Sequence, residues 1–185
     1  MHLSVQLASL ARDEFWNNPN NRVRRPKPII AASVGSYGAY LADGSEYRGD
    51  YDLSTQELIN FHRERLSILA ETQADVIAIE TIPCLQEAQA LTYLMTEFPH
   101  LNAWISFSAS DETHISHGET LAECVNWLNA FPQIIAVGIN CTPPKYIPSL
   151  IKSIRPKTSK PILVYPNSGE TYSPDNKTWQ GQHDI

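Results

Sequence analysis

The chain has 185 residues, a formal charge of −6 and 42% apolar residues, enough for one packed domain and too apolar for a disordered chain. The acidic balance argues against a nucleic-acid binder, and no apolar run approaches the ~18 residues of a membrane span. Three widely spaced cysteines make no disulfide framework, which predicts a reducing compartment, the cytoplasm.

Residues 1–15 lack a basic leader and a small-residue cleavage site, so they do not read as a targeting signal. Leu3, Leu7, Leu10 and Ala11 instead share one helical stripe, predicting an amphipathic helix at the start. Short β-rich runs follow, beginning near Pro28, Asp75, Ala103, Ile134 and Pro161, at spacings of 47, 28, 31 and 27 residues. Each run is apolar almost throughout, the pattern of parallel strands buried on both faces.

Helical runs lie between them. Ser54-Thr-Gln-Glu57 reads as a capping box that starts a helix reaching about Thr72. A second helix is expected from about Pro83 to Phe98, a third on Leu121, Cys124, Val125 and Leu128, and a fourth on Ile147, Leu150, Ile151 and Ile154. Repeated strand–helix units of this size mean βαβ crossovers and a parallel sheet, either doubly wound or a (β/α)8 barrel. The final residues, 167–185, are polar and turn-rich, with no closing element expected.

In both architectures ligands bind at the carboxyl ends of the strands. Those ends carry Ser33 and Tyr37, Glu80-Thr81, Ser106 and Ser108, Asn140-Cys141-Thr142, and Tyr165 and Asn167. Glu80 follows an unbroken apolar run, where a carboxylate is costly unless paired. It could contact a substrate ammonium group or form an ion pair with Lys or Arg. Cys141 could be a nucleophile, a metal ligand or a small buried apolar residue.

Cys124 reads as core, Cys84 as packing in a first helical turn, and His62 as a packed histidine. His114 and His117 share a polar loop and are expected in a surface turn. The segment 35–38 lacks the G-x-G-x-x-G spacing and is not expected to open a helix. The loop 37–51, with Tyr37, Tyr40, Tyr47 and Tyr51, could line a pocket or cover the rim.

The run from Ser33-Val-Gly-Ser-Tyr-Gly38 to Tyr51 resembles the signature loop of the homocysteine S-methyltransferase family. Asp75-Val-Ile-Ala-Ile-Glu80-Thr-Ile-Pro83, Gly138-Ile-Asn-Cys141-Thr and Val164-Tyr-Pro-Asn-Ser-Gly-Glu170 are similar to its later motifs, in order. The likeness is to enzymes using S-methylmethionine or S-adenosylmethionine.

The resemblance implies an α/β fold, a partial TIM barrel whose five parallel strands are the third to seventh of the family's eight. Residues 1–185 would then be a single incomplete barrel domain. It also implies a zinc-dependent methyltransferase that makes methionine from homocysteine. By the resemblance zinc would be held by three thiolates, one of them Cys141, and would make homocysteine a thiolate nucleophile. The family's other two thiolates come from a Gly-Gly-Cys-Cys motif, which does not occur in this sequence. Glu80 would bind the amino group of homocysteine, with Asn140 beside it as a substrate contact. Ser36 stands where relatives usually have Pro. The alternative expectation is a catalytically inactive, truncated fragment of the same family.

Overall fold

The computed structural model describes residues 1–173 and 177–181. Helix α1 (His2–Asn17) opens the chain and precedes β1 (Ala31–Gly35), α2 (Tyr37–Leu41) and α3 (Thr55–Ala70). The alternation continues as β2 (Val76–Ile82), α4 (Leu85–Met95), β3 (Ala103–Phe107), α5 (Leu121–Leu128), β4 (Ile134–Asn140), α6 (Ile147–Ile154) and β5 (Ile162–Tyr165). A hairpin of β6 (Thr171–Ser173) and β7 (Thr178–Gln180) follows, where only turns were expected. The rest of the 167–185 expectation, at 174–176 and 182–185, lies outside the described residues.

The five expected strands form one parallel sheet in the order β1-β2-β3-β4-β5. A doubly wound sheet reverses direction at a switch point, whereas a barrel adds each strand beside the last. The sheet shows no reversal, so it is an arc of a barrel. Its helix-facing side carries Val34, Ile79, Ile105, Phe107 and Ile139, all fully buried against Leu66, Leu91, Leu94 and Val125.

Burial on both faces nearly holds for β2, β3 and β4, with Glu80 and Thr81 of β2 only partly buried, but fails at the edges. In β1, Ala32 and Val34 are buried while Ala31 and Ser33 are exposed, and β5 is half-buried throughout. An edge strand has side chains from only one neighbour to shield it.

The capping box of α3 is formed in both directions between Ser54 and Glu57. Two local expectations are corrected. The stripe on α1 faces outward: Leu3, Leu7 and Leu10 are 64%, 56% and 59% exposed, and Val5 and Ser9 are buried instead. The Arg12 guanidinium, one turn beyond Ser9 and on the same side of the helix as Val5 and Ser9, donates to Asp75 at 2.9 Å.

The segment 35–38 does open a helix. The first three N–H groups of α2 have no partner within the helix. Tyr37 donates to Glu87 Oε1 at 2.6 Å, Gly38 to Tyr51 Oη at 3.0 Å and Ala39 to Ser36 Oγ at 3.3 Å. Gly38 is required because a Cβ there would sit 2.3 Å from the Glu46 backbone nitrogen. The tyrosine loop therefore folds onto itself, with Tyr37 edge-on to Tyr51 and Phe61.

Candidate functional site

The carboxyl ends of β1 to β5 share one rim. At β2 the ladder to β3 slips between Ile79 and Ile82, and Thr81 within that bulge has φ +59°. Cys141, just after β4, has φ +49°. Left-handed conformation at a β-branched residue is an outlier, and such strain concentrates at functional sites. Both residues belong to one hydrogen-bonded unit. Thr81 N–H donates to Asn140 Oδ1 at 2.9 Å, and Asn140 Nδ2 donates to Thr81 Oγ1 at 2.7 Å and to Cys141 Sγ at 3.3 Å. The Thr81 hydroxyl lies 3.6 Å from the same sulfur. Asn140 is buried and uses both amide protons inside the chain, while Cys141 is half-buried.

Glu80, next to Thr81, is half-exposed. Ser33 Oγ donates to its Oε1 at 2.6 Å and Tyr165 Oη to its Oε2 at 3.0 Å. Tyr165 also receives the Trp104 indole N–H at 3.1 Å and lies 2.7 Å from Ser106 Oγ. Burial pushes the Tyr165 phenol up to about 12, so it keeps its proton at neutral pH. The ion-pair alternative for Glu80 is not formed: among the described residues no lysine or arginine bridges to it.

The remaining sulfur and imidazole groups lie elsewhere. Cys124 is fully buried in the core, as expected. Cys84 is 1% exposed, and burial pushes its thiol up to about 12. His62 is packed, its Nε2 2.8 Å from Glu87 Oε1 with both side chains fully buried. His114 and His117 are partly exposed and pair with Asp111 and Glu119 within their turn.

Sequence reasoning placed Glu80, Asn140 and Cys141 on the rim and underrated Tyr165, Trp104 and Thr81. The signal for Trp104 was alternation with Ser106 along β3, which puts both on the face away from the helices.

The family model described as homocysteine S-methyltransferase matches residues 1–184. The chain belongs to the homocysteine S-methyltransferase family. It is 61% identical over 181 residues to homocysteine S-methyltransferase YbgG of Bacillus subtilis, covering 98% of this chain and 58% of that protein. It is 47% identical to a selenocysteine Se-methyltransferase of Brassica oleracea var. italica, covering 95% of this chain and 53% of that one. The metallated homocysteine methyltransferase MmuM of Escherichia coli superposes with a TM-score of 0.83 at 42% identity, over 90% of this chain and 57% of that chain. The chain thus spans little more than half the length of these relatives, and the sheet is the corresponding part of a TIM barrel. No helix among the described residues is long and apolar enough to cross a membrane.

Family membership implies zinc, which needs three or four protein ligands. No group of three His, Cys, Asp or Glu side chains that could hold a metal occurs among the described residues. Cys141 would offer one sulfur, so these residues alone do not fit the ion.

Proposed function

We propose that this chain forms the amino-acid-binding wall of a homocysteine S-methyltransferase, a single barrel domain of which residues 1–185 are a part. The observation that carries the reading is Glu80: a rim carboxylate held by two hydroxyls, with no cation of the described chain beside it. A carboxylate so placed is stabilised most by a cation from outside, and the ammonium group of homocysteine supplies one. The strained unit Thr81–Asn140–Cys141 stands on the same rim. In this reading Asn140 fixes the Cys141 sulfur, and Cys141 contributes one thiolate to a zinc centre whose other ligands are not among the described residues.

The transfer itself balances simply. The homocysteine sulfur forms a bond to the methyl carbon of a sulfonium donor, S-methylmethionine or S-adenosylmethionine. The carbon–sulfur bond of the donor breaks, its electron pair returns to the donor sulfur as a neutral thioether, and the thiol proton passes to solvent. Methionine is the product. Three unpaired cysteines are consistent with a cytoplasmic setting.

The test incubates the protein with zinc, L-homocysteine and each sulfonium in turn, and measures methionine by mass spectrometry. Methionine that disappears in Cys141→Ala supports the reading. Full methionine formation by Cys141→Ala removes the role of that residue. The second reading, a member of the family that is inactive by itself, rests on the single candidate ligand among the described residues and is selected if no methionine forms with either donor.

A further inference from the structure

We propose that Tyr165 is the positioning residue that holds the Glu80 carboxylate ready for the ammonium group of the amino-acid substrate. The inference rests on the functional reading above and adds to it a residue on a different strand, 85 positions away.

The direction of each hydrogen bond follows from the inventory of donors. Trp104 Nε1–H can only donate, so Tyr165 Oη must accept from it at 3.1 Å. Glu80, when ionised, can only accept, so the single Tyr165 proton goes to Oε2 at 3.0 Å. The second lone pair of the phenol oxygen is then left for the Ser106 hydroxyl at 2.7 Å, which makes Ser106 the donor. Every partner of this oxygen is assigned, and the phenol has one orientation. Ser33 fixes the other carboxylate oxygen from β1 at 2.6 Å.

Glu80 is therefore clamped from both sides, by β1 and by β5, while its own strand is bulged at the next residue. The Tyr165 hydroxyl crosses β4 to reach partners on β3 and β2, since β5 pairs only with β4 in the sheet. A carboxylate offers about four acceptor sites, so two donors leave room for an ammonium group with several N–H bonds. Preorganisation of this kind acts on binding, because the side-chain ordering is complete before the ligand arrives.

Tyr165→Phe keeps the ring and removes the hydroxyl. The test measures equilibrium binding of L-homocysteine and of 4-mercaptobutanoate, the same thiol acid without the amino group, to the wild-type protein, Tyr165→Phe and Glu80→Gln. Amide and indole hydrogen exchange are recorded in parallel. Tyr165→Phe should bind homocysteine about tenfold more weakly, the size of one hydrogen bond to a charged group. It should leave 4-mercaptobutanoate unchanged, and the Trp104 indole proton should exchange faster. Equal weakening of both thiols would make Tyr165 a structural residue and overturn the proposal. So would unchanged homocysteine binding in Tyr165→Phe when Glu80→Gln has lost it, with the functional reading left standing. Homocysteine binding that survives Glu80→Gln would overturn the functional reading itself, and the proposal with it.

Discussion

Two glutamates seven residues apart on the β2–α4 unit have opposite surroundings. Glu87 lies fully buried beneath the tyrosine loop, bonded to His62 Nε2 and the Tyr37 N–H. Its Oε2 and the Nδ1 of His62 have no partner among the described residues. Glu80 lies half-exposed at the strand end, its carboxylate bonded among the described residues only to hydroxyls. The first carboxylate is closed off by the fold and holds a loop in place. The second is held by the fold and left open. Burial alone therefore does not mark the functional acid; the more accessible carboxylate is the one available to a ligand.

Truncating each acid should separate the two roles. Glu87→Ala leaves a buried imidazole and the Tyr37 N–H without their acceptor, and should lower stability by about 3 kcal/mol in urea unfolding. A loss below about 1 kcal/mol would show that the loop does not depend on it. Glu80→Gln should weaken L-homocysteine binding roughly 30-fold, by the loss of a charge-assisted contact worth about 2 kcal/mol. Its unfolding free energy should stay within about 0.5 kcal/mol of wild type. A Glu80 variant that is unstable instead would make the two acids alike.

Much of the site was legible because parallel strands present their carboxyl ends on one rim. Glu80, Asn140 and Cys141 could be placed from strand order alone. What escaped depends on contacts between distant parts of the chain. The buried face of α1 lies on the side where Arg12 meets Asp75, 63 residues away, and no periodicity within the helix records that contact. The start of α2 depends on Glu87, 50 residues beyond Tyr37. The Tyr165 hydroxyl could be read as lying at a strand end, but not as reaching past β4 to Glu80.

Smaller effects mark the difference between capping and site chemistry. Ser54→Ala removes the cap of α3 and should cost about 1 kcal/mol at neutral pH. The Ser54 hydroxyl and backbone N–H hold the Glu57 carboxyl below its ordinary value of 4.5. A depressed folded value stabilises the protein above the ordinary one, and the contribution is lost as pH falls through the folded value. The gap between Ser54→Ala and wild type should therefore narrow in acid; a constant gap down to about pH 3 would remove Glu57 from the cap. His117→Ala, at a partly exposed pair with Glu119, should change stability by less than about 0.5 kcal/mol in the same urea titration. A larger loss would make that turn part of the frame that carries the rim.

The most direct test is a structure of the protein soaked with L-methionine, the product of the proposed transfer. The amino group is expected within hydrogen-bond distance of Glu80 and the ligand sulfur on the Cys141 side of the rim. A methionine bound with its amino group away from Glu80, while the Ser33 and Tyr165 contacts to that carboxylate stay intact, would contradict that placement.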